Sequence, residues 1–156
     1  MDHCTRRIVG FGVQRGVVDG VGPCRMFNRA ARGQTPPTYV STDHDPLYRF
    51  EQWQRNLRIV DVSEIKTVPY APLSHPCVER LIGTIRRECL DRTLFWTATD
   101  LEMKLLDFQR YFNGHRTHAG LAGRTPESSA GHARANVSSY RWQGHCRGLY
   151  QTPVAA

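Results

Sequence analysis

Two carboxylates, Asp43 and Glu79, stand where they could do chemistry. Asp43 closes a strand-like run, Thr38-Tyr39-Val40-Ser41-Thr42, and Glu79 falls in the first turn of an amphipathic helical run. Thirty-five residues, 44 to 78, separate them. A strand-end Asp and a helical Glu can share a divalent metal, and carboxylate oxygens suit hard ions such as Mg2+ or Mn2+. Two such ions about 3.5–4 Å apart can activate an attacking oxygen and stabilise the leaving oxygen of a phosphodiester. Acids are mostly solvated surface charges, so the pair alone is a weak signal and the residues around it must decide.

The elements that would position these acids follow from the apolar pattern. Arg7 to Val13 is rich in β-branched and aromatic residues and reads as a strand weakened by its glycines. Asp2 to Val13 therefore looks like the middle of a sheet. Pro23 suits a first helical turn, Cys24 to Ala30 continues the helix, and Gly33 can end it. After the Thr38–Thr42 strand, Asp45-Pro46 is a helix start, with Leu47, Phe50, Trp53 and Leu57 on one face. Residues 65–70 form a short strand, and Pro69, Pro72 and Pro76 make an irregular loop. A helix then carries Val78, Leu81, Ile82, Ile85 and Cys89 on one stripe, with Glu79, Arg80, Arg86 and Arg87 off it. A further helix opens on a Thr99–Glu102 capping box and runs through Leu105, Phe108 and Phe112 to Asn113-Gly114. The alternation of strands and helices is that of an α/β fold.

The residues around the two acids sharpen the reading. Ser41-Thr42-Asp43-His44-Asp45-Pro46-Leu47-Tyr48 resembles the second-aspartate motif of the integrase catalytic core, the Asp-Asp-Glu family of insertion-sequence transposases and retroviral integrases. Ser74 to Glu88 resembles its glutamate motif, and the 35-residue gap matches its spacing. Tyr111 to His118, followed by Thr125-Pro126, is similar to the segment after the catalytic helix, and Asp2 to Gly10 to the turn between the second and third strands. One departure is Asp45, where the family often has glycine.

The resemblance implies a ribonuclease H-like mixed sheet with helices packed on it. It implies Asp43 and Glu79 as catalytic, metal-binding carboxylates for Mg2+ or Mn2+ in DNA cleavage and strand transfer. The family's first catalytic Asp lies upstream of the segment that Asp2 matches, and only Met1 precedes Asp2. The expectation is thus a core lacking its first strand and most of its second, with weakened metal binding and impaired activity. The domain division follows: a truncated core over residues 1–127 and a basic, aromatic tail over 128–156.

The charge fits an anionic partner. The 156 residues carry 21 Lys+Arg against 14 Asp+Glu, a net charge of +7. From Glu79, Gly83 and Arg86 lie at i+4 and i+7, on nearly the same helical face, so Arg86 can reach a DNA phosphate and Arg87 can assist. Lys66, Arg116 and His118 are further DNA-binding candidates. The expected partners are DNA (transposon ends and target) and a second copy or an intact transposase. The alternative is a nonenzymatic DNA-binding or dimerising remnant that modulates such a transposase.

No run approaches the roughly 20 apolar residues of a membrane span, and the first residues lack the apolar core of a secretory leader. The resemblance implies a cytoplasmic, nucleoid-associated bacterial location. The five scattered cysteines contain no Cys-x-x-Cys pair and read as free thiols.

Overall fold

Pro23 sits in the first turn of helix α1 (Gly22–Ala31), where a missing N–H costs nothing. The computed structural model describes residues 1–67, 76–128 and 140–155. After α1 come strand β1 (Tyr39–Thr42), helix α2 (Glu51–Ile59) and strand β2 (Ser63–Lys66). Helix α3 (Pro76–Glu88), helix α4 (Ala98–Gly114) and strands β3 (Tyr140–His145) and β4 (Tyr150–Ala155) complete the order. The α/β class expected from the pattern is the one observed. The strands form two small sheets: β1 and β2 pair in parallel, and β3 and β4 pair antiparallel.

Two apolar clusters hold these elements. Leu81, Ile85 and Cys89 of the α3 side meet Leu105, Phe108 and Phe112 of α4, and Ile8 closes the group. Cys24, Trp53, Leu57 and Val62 pack α1 and α2 beside the parallel pair. Trp53 lies edge-on to Phe27, with ring centroids 5.6 Å apart and planes at 84°, a favoured aromatic geometry. Two polar ties join the helices: Asn28 and Asn56 exchange amide hydrogen bonds of 2.8 and 3.0 Å. Arg29 of α1 grips Glu102 of α4 with two bonds of 2.7 and 2.6 Å.

Several expected elements are altered. Arg7 to Val13 is not a strand. Its backbone is held by side-chain amides instead: Asn113 spans the Ile8 N–H and C=O, and Gln109 donates to the Ile8 and Val9 carbonyls. Gln34 also donates to the Val9 carbonyl. Gly10 presses on α1 so closely that an added Cβ would sit 2.6 Å from the Ala30 carbonyl oxygen. The segment thus runs against helices, and apolar content alone does not supply a strand partner.

The helix expected to start at Asp45 does start there, since the Asp45 carboxylate accepts the Leu47 N–H at 2.8 Å. It is a 3-10 turn over Pro46–Arg49, however, and Phe50 swings to extended geometry (φ −65°, ψ 141°) before α2 begins. Phe50 is therefore exposed, and Trp53 and Leu57 alone carry the buried face. In α3 the outlier is Ile82, which is exposed while Leu81, Ile85 and Cys89 are buried.

Helix α4 begins one turn-fraction earlier than Thr99. Thr97 is its N-cap and accepts the Asp100 N–H at 3.1 Å, and Asp100 reaches back to the Trp96 N–H. Glu102 is drawn away to Arg29, so the reciprocal cap is Thr97 with Asp100. In the tail, residues 140–155 form the β3–β4 hairpin, which the sequence pattern did not indicate. The Pro69–Pro72 loop and Arg134 lie outside the described residues.

Candidate functional site

Asp43 follows directly on the last residue of β1, where the parallel pairing with β2 ends at Thr42 and Lys66. The pairing extends one step further, because the Thr67 N–H donates to the Thr42 carbonyl at 3.0 Å. The chain then turns. Asp43 Oδ1 accepts the Asp45 N–H at 3.1 Å, and the His44 ring contacts the Thr67 carbonyl at 2.7 Å. These bonds fix an exposed carboxylate at the carboxyl end of a parallel strand, one residue past the Thr42–Lys66 register pair, and Lys66 itself lies 4.0 Å from Glu64.

One residue that governs this corner escaped the sequence reading. Glu64 of β2 has a side chain only 8% exposed. Its Oε1 accepts the Thr42 hydroxyl at 2.6 Å and the Trp53 indole N–H at 3.0 Å. Its Oε2 accepts the Gln54 amide at 2.7 Å. Burial alone would push the Glu64 carboxyl up. The bonds from Thr42, Gln54 and Trp53, together with Lys66, outweigh it and hold the group below its ordinary range. Nearby, burial raises the Tyr48 phenol, and the negative charges of Asp43, Asp45 and Glu64 raise it further. A strand acid carries no sequence signal of its burial, since burial follows from α2 closing over β2.

Glu79 lies in the first turn of α3 and is exposed. Its carboxylate is also favoured there by the positive end of the helix dipole. Among the described residues it has no hydrogen-bond or ion-pair partner. Behind it, Gly83 and Arg87 continue the same face at i+4 and i+8. The Arg87 guanidinium folds back over Gly83, so that a Cβ on Gly83 would lie 3.0 Å from Arg87 Nη1. Arg87 is thus turned back over the preceding helical turn. Arg86 is exposed one position away.

Arg116 and His118 are placed differently. Arg116 forms a two-pronged pair with Glu88 at 2.9 and 2.7 Å, joining the end of α3 to the segment after α4. Its guanidinium also lies 5.5 Å from the centre of the Phe112 ring. His118 packs edge-on against Phe112, with centroids 4.5 Å apart. Burial lowers its imidazole, and the Arg116 charge lowers it further. This cluster braces the α3–α4 junction, where Glu88 already occupies the Arg116 charge.

A metal would find hard oxygen donors in Asp43 and Glu79. Among the described residues, no three His, Cys, Asp or Glu side chains gather closely enough to hold an ion. Mg2+ is commonly bound through one or two carboxylates with waters and substrate phosphates completing its shell. The donor type therefore fits, and the protein's share of the shell is small. All five cysteines are free thiols. No helix among the described residues is long and apolar enough to cross a membrane.

Comparison with known proteins finds a match to part of the chain. Residues 61–126 match the family model of the integrase core domain. No curated protein matches the chain. Among solved structures, the chain is similar to one in the cryo-EM structure of the simian T-cell lymphotropic virus intasome in complex with PP2A regulatory subunit B56 gamma. The TM-score is 0.61 at 16% identity, over 90% of this chain and 55% of that one. The chain thus spans about half the length of that relative. A second likeness, to the crystal structure of the catalytic core domain of BIV integrase, has a TM-score of 0.48 at 15% identity. It covers 72% of this chain and 70% of that one. The α/β frame shares the fold of that intasome chain, and residues 61–126, which include Glu79, Arg86 and Arg87, match the integrase core domain model.

Proposed function

We propose that the chain is a DNA transposition or integration protein of the insertion-sequence type, a metal-dependent strand-transfer core built around Asp43 and Glu79. The observation that carries this reading is the integrase core match over residues 61–126, which contains Glu79 and the whole of α3. Asp43 supports it, standing 35 residues before Glu79 and fixed at the carboxyl end of β1. Asp43 and Glu79 would hold Mg2+ or Mn2+. When bound, the metal supplies Lewis-acid stabilisation of charge on phosphodiester oxygens.

The chain's own residues do the binding and orienting. The Asp45 N–H keeps the Asp43 carboxylate turned at the strand end. Arg86 and Arg87 neutralise DNA phosphates beside Glu79, a task suited to a planar guanidinium. Lys66 adds a positive charge at the same end of the parallel pair as Asp43. Arg116 and His118 contribute indirectly, by bracing the end of α3 through Glu88 and Phe112.

The test is nicking and strand transfer on supercoiled plasmid with Mg2+ or Mn2+. Asp43→Asn and Glu79→Gln should each reduce the rate by about a hundredfold or more, with the fold and DNA affinity unchanged. Salt-sensitive DNA binding that neither substitution affects, with no metal-dependent cleavage, would overturn the catalytic reading. It would favour a nonenzymatic remnant that modulates an intact transposase.

Gly83 offers a second test. Gly83→Ala should raise stability by about 0.5–1 kcal/mol, because alanine favours the helix interior. The added methyl must also displace the Arg87 guanidinium. Thermal denaturation should therefore show a higher midpoint while duplex-DNA affinity falls, as it does in Arg87→Ala. A stabilised variant with unchanged affinity, alongside a weakened Arg87→Ala, would mean that the folded-back position of Arg87 has no part in DNA binding.

A further inference from the structure

Helices α1 and α2 run side by side in the same direction. Gly20, just before α1, lies so close to Phe50, the N-cap of α2, that an added Cβ would sit 2.9 Å from the Phe50 ring. Further along, Asn28 and Asn56 exchange their amide bonds. Phe50 follows Asp43 by seven residues, so both helices begin toward the carboxyl end of β1.

Helical spacing sorts α1 into faces. Cys24 and Phe27 pack with Trp53, and Met26 and Ala30 lie against Gly12 and Gly10. The outward stripe is Arg25, Asn28, Arg29 and Arg32, all exposed. The helix contains no Asp or Glu. Two acids approach it from other segments. Glu102 of α4 grips Arg29, whose side chain stays 64% exposed. Asp19 accepts the Gly22 N–H at the helix start through its Oδ1. The guanidinium groups of Arg25 and Arg32 have no hydrogen-bond or ion-pair partner among the described residues. The stripe therefore keeps an excess of positive charge. Arg25 and Arg32 are seven residues apart, about 10 Å along the helix. A row of guanidinium groups with no apolar side chain among them gives a protein partner no anchor. It suits a surface of regularly repeated phosphates.

We propose that the Arg25–Arg29–Arg32 stripe of α1 is a second contact for duplex DNA, holding the backbone that flanks the site at Asp43 and Glu79. This rests on the DNA reading above and extends it to another element. Because α1 begins toward the Asp43 end of β1, a duplex engaged there continues along the stripe and meets Arg25 first. Arg25 and Arg32 take phosphates directly, and Arg29, shared with Glu102, contributes less. Backbone contacts of this kind carry no sequence information.

The experiment measures fluorescence anisotropy of a labelled duplex with the full chain at rising salt. Each phosphate contact steepens the fall of log affinity with log salt by about 0.9. Arg25→Ala and Arg32→Ala should each reduce the slope by about that amount. Each should weaken binding about five- to tenfold, equally for unrelated duplex sequences. Arg25→Lys, which keeps the charge, should hold the slope. Arg55→Ala on α2, where the guanidinium is already paired with Glu51, should leave it unchanged. Such losses support the stripe even if plasmid cleavage proves absent. Unchanged slopes in both Arg25→Ala and Arg32→Ala overturn it, even if plasmid cleavage succeeds. An equal drop in Arg55→Ala also overturns it, since overall charge rather than this face would then set the affinity.

Discussion

Replacing Asn113 by alanine is expected to destabilise the chain by about 2–5 kcal/mol. Asn113 is 2% exposed, and its amide serves both polar groups of one backbone residue. Oδ1 accepts the Ile8 N–H at 2.9 Å, and Nδ2 donates to the Ile8 carbonyl at 3.0 Å. Ile8 is itself 1% exposed, in the cluster with Phe108 and Phe112. Alanine would leave two buried backbone groups without their partners, at about 1–3 kcal/mol each. Water cannot readily replace them while Ile8 stays docked. The expected alternative is release of the 7–13 segment, whose backbone lacks strand pairing.

Denaturant unfolding measures the loss, and proteolysis near residue 10 reports the release. Asn113→Asp makes the argument sharper. It keeps an acceptor for the Ile8 N–H but sets a carboxylate oxygen against the Ile8 carbonyl. That variant should be unstable at neutral pH and recover partly as the acid is protonated. A loss below about 1 kcal/mol in Asn113→Ala would show that α4 does not hold this segment through the amide.

Glu64→Ala is expected to cost about 2–4 kcal/mol and to disorder the strand end before Asp43. Three donors, from Thr42, Trp53 and Gln54, lose their acceptor at once. Hydrogen bonds to a charged group are worth about 1.5–3 kcal/mol each, and the partial exposure of the partners lowers the sum. The contribution depends on pH. The folded state holds the Glu64 carboxyl below its ordinary value of 4.5, so the unfolded chain binds the proton first as pH falls. The stabilisation is complete above about that value and is lost as pH drops through it toward the folded value. Urea midpoints between neutral and acid pH should show this limb in the native chain and lose it in Glu64→Gln. Because the Thr42 hydroxyl is one of the donors, plasmid cleavage should also fall in Glu64→Ala while DNA affinity holds. An acid limb of unchanged size in Glu64→Gln would assign that limb to other carboxylates.

Legibility in the sequence followed the range of the forces involved. The start of α1 at Pro23, the Asp45 cap and the buried stripe of α4 rest on contacts within a few residues. Their signals are therefore local. So is the placement of Asp43 at a strand end and of Glu79 in a first helical turn. The Thr99 cap failed for an equally local reason in reverse: two overlapping Thr-x-x-acid patterns, 97–100 and 99–102, compete. The ion pair from Glu102 to Arg29, 73 residues away, removes the second from the contest.

The sequence by itself determined the candidate residues and their order, through the resemblance of their surroundings to the integrase core: a strand-end Asp, a helical Glu and a basic face behind it. The tertiary structure decided what surrounds them. It buried Glu64 beneath α2, where no sequence period reveals a carboxylate at the centre of three donors. It committed Arg116 to Glu88, and it folded residues 140–155 into a hairpin whose inner face docks through Tyr150. It also left the apolar run at 7–13 without strand pairing, held by amides from α4 and from Gln34. A run of β-forming residues states a preference, but a strand exists only where a partner backbone lies within hydrogen-bonding distance. In this fold helices α1 and α4 lie against that segment.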